Sequence, residues 1–90
     1  VTAGKEPGLA FDGESFWRIT PPVIRAVNPI GSGDAFTAAL TWRLLLGEDL
    51  GTACRWGAAA GAANALNLDA GEVDPAEVHR LHPQTVLERL

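Results

Sequence analysis

Polar and apolar positions are grouped differently along the two halves of the chain. In the first half, Leu9-Ala10-Phe11 and Ser15-Phe16-Trp17-Arg18-Ile19 flank Asp12-Gly13. That dipeptide takes positive φ readily and predicts a two-stranded β-hairpin. Its aromatic residues read as sheet-packing side chains, not as a platform for stacking bases. Pro21-Pro22 ends the hairpin, and the β-branched run Val23 to Val27 predicts a further short strand. Pro29 fixes its own φ and keeps Asn28 out of the α region, so that strand has to stop before a turn.

In the second half the apolar runs lengthen to helical size. Ala35 to Leu46 has only Thr37, Thr41 and Arg43 as polar positions. A helix that is apolar on nearly all sides is expected to be buried, with Phe36, Leu40 and Leu44 forming one row of core positions. Gly47 supplies the stop. Asp49 then caps a second helix from Leu50 to about Leu66, in which Ala58-Ala59-Ala60-Gly61-Ala62-Ala63 leaves the surface almost bare. So small a surface favours close packing of another backbone, with approach of a flat ligand as the alternative. Asn67 to Gly71 reads as a loop. Asp74-Pro75-Ala76-Glu77 combines an N-cap, proline at the first helical position and an acid at the third, so a last helix starts there and runs through Val78 and Leu81 until Pro83 interrupts it. His79 and His82, three apart on that helix, have no fixed Asp or Cys partner nearby and read as exposed histidines, so no metal ligand is assigned.

Composition narrows the function. Ninety residues make at most one small domain, and a chain that short buries only about 60–65% of its unfolded surface. With 47% hydrophobic residues, its two nearly uncharged segments suit the interior of something larger. The net charge of −4 and scattered basic residues exclude a nucleic-acid surface and an anionic-membrane surface. Cys54 is the single cysteine, which rules out an internal disulfide and a cysteine zinc site and fits a reducing cytoplasm. The most apolar run, Ala53 to Leu68, contains Arg55, Asn64 and Asn67 and is too short to span a bilayer.

The chemistry concentrates in Asn28-Pro29-Ile30-Gly31-Ser32-Gly33-Asp34, a glycine-rich turn that runs straight into the first long helix. Gly31 and Gly33 have no Cβ to block an approaching anion. Their N–H groups, with those of Ser32 and Asp34, belong to a helix N-terminus, where unpaired donors and the positive end of the dipole favour phosphate. Asp34 falls in the first helical turn, where a carboxylate is stabilised as well. A purely structural cap accounts for Asp34 but needs no Gly-Ser-Gly ahead of it. Phosphoryl transfer uses the whole pattern, because donors hold the migrating group while a carboxylate takes the proton of the attacking hydroxyl. A Walker A loop is excluded, since no lysine follows Lys5, and a dinucleotide fingerprint is excluded by Phe36 where its third glycine or alanine belongs.

Asn28 to Leu40 resembles the C-terminal signature of the PfkB (ribokinase-like) carbohydrate kinases, in which a Gly-x-Gly-Asp turn opens a helix and its Asp is the catalytic base. The Asn-Pro-Ile-Gly-Ser-Gly-Asp version is most similar to the branch holding tagatose-6-phosphate kinase and 1-phosphofructokinase, and the likeness extends over most of the chain. The resemblance implies an α/β fold, the C-terminal part of a three-layer αβα sandwich, with residues 1–90 as a C-terminal fragment of the kinase domain. It implies transfer of the γ-phosphoryl of ATP, bound with Mg²⁺, to a primary alcohol of a sugar or sugar phosphate, such as tagatose 6-phosphate or fructose 1-phosphate. Asp34 is then the base and the amides of Gly31, Ser32 and Gly33 stabilise the phosphoryl group in transit. Thr2, Gly4 and Lys5, at the end of a strand cut upstream, carry over as ATP contacts, joined by Gly33, Asp34 and Asn64. Asn28 stands where relatives often hold an Asp associated with a monovalent cation, and no such cation is assigned here. The sugar pocket, the lid and most contacts to Mg²⁺ fall in the remainder of the kinase domain, so negligible turnover is expected of the 90 residues alone. A homodimer of the parent stays open. So do three other readings: a nucleotide-binding module, a structural α/β fragment without a ligand, and a kinase of the same family acting on ribose or a nucleoside.

Overall fold

The computed structural model of the chain describes residues 7–24, 31–66 and 73–90. Strands β1 (Gly8–Phe11) and β2 (Phe16–Thr20) form the hairpin that Asp12-Gly13 predicts. Phe11 pairs with Phe16 across it, and their rings stack 4.5 Å apart. Gly13 takes φ 96°, and Asp12 Oδ1 accepts the backbone N–H groups of Glu14 and Ser15, so the side chain closes the loop. Val23 and Ile24 are not in a strand, and the rest of the run predicted as one, with the Asn67 to Gly71 loop, lies outside the described residues.

Three helices follow: α1 (Ser32–Leu45), α2 (Leu50–Ala65) and α3 (Pro75–Leu81). Their ends follow the sequence signals closely. Gly47, at φ 88°, donates its N–H to the Leu44 carbonyl and ends the first. Asp49 and Asp74 cap the second and third through their own carboxylates. A 3₁₀ turn, His82–Gln84, leads into β3 (Val86–Arg89), a strand the sequence did not announce. It pairs antiparallel with β2, Trp17 opposite Arg89 and Thr20 opposite Val86, and completes a sheet of order β1-β2-β3. Two arginines fasten it: Arg55 on α2 donates to the Thr85 carbonyl at 2.8 Å, and Arg89 donates to Ser15 Oγ in the hairpin loop.

Helix α2 touches every other element. Its small side chains make that possible, since each neighbour can reach the helix backbone. A Cβ on Gly57 would lie 3.0 Å from the Phe36 carbonyl oxygen, one on Gly61 3.2 Å from that of Ser32, and one on Gly51 only 2.6 Å from the Trp17 ring. The alanine run is therefore a packing surface, as its composition favours. Ala59, Ala62 and Ala63 form the core together with Leu81.

The expected burial of α1 is not observed. None of its residues is buried, Phe36 and Leu40 are half-buried, and Leu44 is exposed. Trp42 is 61% exposed and Leu45 77%. α2 covers one flank of the helix, and among the described residues no element covers the other. The apolar pattern states what the helix can bury, while burial itself needs a neighbour.

Candidate active site

Gly31 precedes α1 in the left-handed conformation, φ 88° and ψ −4°, which costs a glycine nothing and a side-chain residue about 1 kcal/mol or more. Its carbonyl accepts the N–H of Ala35 at 3.0 Å and so fixes the first helical turn. The three N–H groups ahead of Ala35, on Ser32, Gly33 and Asp34, precede the first intrahelical bond. Gly31 has no side chain with which to cap them. Gly33 is exposed, and a Cβ placed there would meet nothing within 4 Å among the described residues, so the space beside Gly33 is open. Asp34 is exposed too, and its carboxylate stands at one end of a cleft of about 640 Å³ that runs along α1 and α2 towards α3.

The underside of the turn is built differently. Asn64, 0% exposed on α2, donates from Nδ2 to Ser32 Oγ at 3.3 Å. Gly61, one turn earlier, faces the Ser32 carbonyl. The structure thus brings together Gly31, Ser32, Gly33, Asp34 and Asn64 from two segments about thirty residues apart in the chain. Thr2, Gly4 and Lys5, and Asn28 to Ile30 at the front of the turn, lie outside the described residues.

The far end of the cleft is aromatic. Trp56 carries the His82 ring stacked at 3.7 Å, the His79 ring edge-on at 5.3 Å and the Arg43 guanidinium 3.8 Å from its centroid. Arg43 is held in turn by Glu48 at 3.1 Å. His82 is therefore not an exposed helix histidine: it lies in the 3₁₀ turn, half-buried against Trp56, and only His79 is exposed. Burial pushes the His82 imidazole below its ordinary pKa, and the charges of Arg55 and Arg43 act in the same direction. No group of three or more His, Cys, Asp or Glu side chains able to hold a metal occurs among the described residues. No described helix is long and apolar enough to cross a membrane.

Two features of this region were not singled out in the sequence, Gly61 beneath Ser32 and the Trp56 stack. A Gly-x₃-Gly spacing at 57 and 61 inside an alanine run is a signal for the first. Nothing local announces the second, because Arg43, Trp56 and His82 come from three separate elements.

Residues 1–77 match the pfkB family carbohydrate kinase. Over 82 residues, 90% of the chain, it is 37% identical to the 2-dehydro-3-deoxygalactonokinase of Haloferax volcanii, of which it covers 26%. Over 67 residues, 74% of the chain, it is 33% identical to the ATP-dependent 6-phosphofructokinase isozyme 2 of Escherichia coli, of which it covers 22%. The solved structure of Escherichia coli phosphofructokinase-2 in complex with potassium superposes with a TM-score of 0.83 at 26% identity, covering 89% of this chain and 26% of that one. The chain spans about a quarter of the length of the curated relatives it matches.

Proposed function

The chain belongs to the pfkB family of carbohydrate kinases, and from that premise we propose that it is the C-terminal portion of a kinase that transfers the γ-phosphoryl of ATP to a primary alcohol of a sugar phosphate. The observation that carries this reading is the start of α1, where no side chain caps the first amides and the exposed Gly33 and Asp34 set a carboxylate in the same helical turn. Either alone is common; together they fit a phosphoryl group and the hydroxyl that attacks it.

The mechanism follows from position. The acceptor hydroxyl sits between Asp34 and the γ-phosphorus. As its oxygen bonds to phosphorus, the bond from phosphorus to the β,γ-bridging oxygen breaks, ADP leaves with that electron pair, and the hydroxyl proton passes to an Asp34 carboxylate oxygen and then to solvent. Because such a transition state is loose, the proton moves late and a carboxylate suffices as acceptor. The amides of Gly31, Ser32 and Gly33 donate to the phosphoryl oxygens as charge shifts among them, each well-placed donor being worth about 3–4 kcal/mol. Mg²⁺ would come bound to the ATP phosphates and supply charge neutralisation there, with its protein contacts largely in the rest of the domain, while Asp34 serves as the base. Thr2, Gly4 and Lys5 contact the nucleotide. The uncovered face of α1, with Trp42, Leu45 and Leu46, packs against the remainder of the kinase domain, and the parent works in the cytoplasm.

The branch most similar to the turn takes hexose phosphates, so the acceptors to assay with the full-length kinase are tagatose 6-phosphate, fructose 1-phosphate, fructose 6-phosphate and ribose. The expected result is one preferred sugar phosphate, with turnover falling about 10²–10⁴-fold in Asp34→Asn. Unchanged turnover in Asp34→Asn removes Asp34 as the base. ATP binding without transfer to any acceptor replaces the kinase by a nucleotide-binding module.

A further inference from the structure

We propose that Gly61 and Asn64 are positioning residues: from α2 they set the height and orientation of the phosphate-binding turn through Ser32, without touching the nucleotide themselves. The inference rests on the reading of the turn as a phosphoryl cradle and adds what holds that cradle in place.

Both residues act on the same target. Asn64 is completely buried, and its Nδ2 donates to Ser32 Oγ at 3.3 Å. A buried amide is not placed there at no cost, since an unpaired polar group in that position is strongly unfavourable. Gly61 lies one turn earlier on the same helix, where a Cβ would come within 3.2 Å of the Ser32 carbonyl oxygen. One residue therefore fastens the Ser32 side chain, and the other lets the Ser32 backbone come down onto α2. Ser32 is the first residue of α1, between the left-handed Gly31 and the exposed Gly33. Its backbone position fixes where its own N–H and that of Gly33 point. Gly57 repeats the arrangement one turn back, under the Phe36 carbonyl, so Ser32 and Phe36, one turn apart on α1, are both seated on one strip of α2.

Geometry separates this role from a nucleotide contact. Gly33, the next residue of the turn, has open space where a side chain would lie among the described residues, whereas Asn64 and Gly61 meet Ser32 from α2. A ligand held by the amides leaves Asn64 on the inner side of the turn. The effect of Asn64 on catalysis is then transmitted, and the part that passes through Ser32 should disappear when the Ser32 hydroxyl is removed.

The test is a set of variants in the full-length kinase, assayed with the best acceptor of the panel above: Asn64→Ala, Gly61→Ala, Ser32→Ala, the double variant Ser32→Ala with Asn64→Ala, and Asp34→Asn. A displacement of catalytic groups by a fraction of an ångström to 1 Å predicts that Asn64→Ala and Gly61→Ala each lower kcat by about 10–100-fold. KM for ATP should stay within about twofold in both, since binding energy from the rest of the nucleotide is untouched. The double variant should lose clearly less than the product of its two parents' losses. Gly61→Ala deletes no hydrogen-bonding group, so it tests the idea even if Asn64→Ala fails to fold. A rise in KM for ATP in Asn64→Ala with kcat preserved, additive with Ser32→Ala, makes Asn64 a direct nucleotide contact and overturns the proposal. So does wild-type kinetics in both Asn64→Ala and Gly61→Ala while Asp34→Asn is inactive, which leaves the reading of the site intact. Full turnover in Asp34→Asn, or no turnover of the wild type with any acceptor, removes the site reading and the positioning role with it.

Discussion

Helices α1 and α2 both begin beside an aspartate, and the two carboxylates are placed for opposite ends. Asp49 stands ahead of α2 in extended conformation and turns its Oδ1 onto the Thr52 N–H at 2.7 Å, closing off one of the helix's free donors. Asp74 does the same ahead of α3, onto Ala76 N–H at 2.9 Å. Before α1 the cap position holds a left-handed glycine, and the aspartate comes three residues later, in the third helical position. That shift along the chain leaves the donors of α1 open and sets a carboxylate next to them. A helix start is sealed or available according to whether its oxygen precedes the first turn or sits in it. Residue type alone does not decide; position does.

The largest effect that bears on this comparison is on rate. In the full-length kinase, Asp34→Asn should lose about 10²–10⁴-fold in turnover, or about 3–5 kcal/mol of transition-state stabilisation, while Asp49→Ala should leave turnover within about twofold. Comparable losses in both break the comparison, since the sealed start would then serve the reaction too. Next in size is the seat of α1 on α2. Gly57→Ala places a methyl 3.0 Å from the Phe36 carbonyl oxygen and 3.1 Å from its ring, and overpacking of this kind costs about 1–3 kcal/mol. Urea denaturation of the purified kinase measures it; a neutral Gly57→Ala shows that the two helices do not need their close approach. Asp49→Ala itself should cost about 0.5–2 kcal/mol by loss of the cap, read as a lower unfolding midpoint.

Both helix starts were legible in the sequence because their chemistry is local. The hairpin around Asp12-Gly13, the caps at Asp49 and Asp74 and the stop at Gly47 each depend on residues within a few positions of one another. Gly31 belongs with them, since a left-handed position before a helix calls for glycine. What the sequence hid is what distant residues do together. β3 is fixed by its pairing with β2, Trp17 opposite Arg89, and no turn signal links the two. The hydrogen bond from Asn64 to Ser32 spans 32 positions. The resemblance counts Asn64 among the nucleotide contacts, and the structure adds its bond to Ser32. The exposure of α1 was hidden for the converse reason: an apolar face is written in the chain that owns it, and its cover belongs to another segment. His82 combines both cases, for the pattern puts it on a solvent-facing turn and Trp56, from another helix, covers it.

The smallest effects are those of pH, and they separate sealed helix starts from open ones. Burial, with Arg55 and Arg43 close by, holds His82 below its ordinary 6.5, partly opposed by Glu48, and His79 adds a small push downwards. Below about pH 6.5 the unfolded chain takes a proton that the folded stack on Trp56 refuses, so this contribution is fully present above about pH 6.5 and is lost as pH falls from there through the lowered folded pKa. His82→Phe keeps a flat ring on Trp56 and should flatten that part of the profile. At lower pH the carboxylates take over. Backbone N–H groups hold Asp49 below 3.8, and Asp12 likewise through Ser15 and Glu14. Their contribution is complete above about pH 4 and is lost as pH falls through the lowered values. Protonation of Asp49 loosens the cap of α2, whereas α1 has no side-chain cap to lose. Unfolding midpoints of the wild type, His82→Phe and Asp49→Asn, measured from about pH 8 to pH 3, should differ in separate windows: His82→Phe near and below pH 6.5, Asp49→Asn in the flattening of the acid limb below pH 4. An acid limb unchanged in Asp49→Asn means that the carboxylate seals nothing at the start of α2, and the contrast with α1 fails.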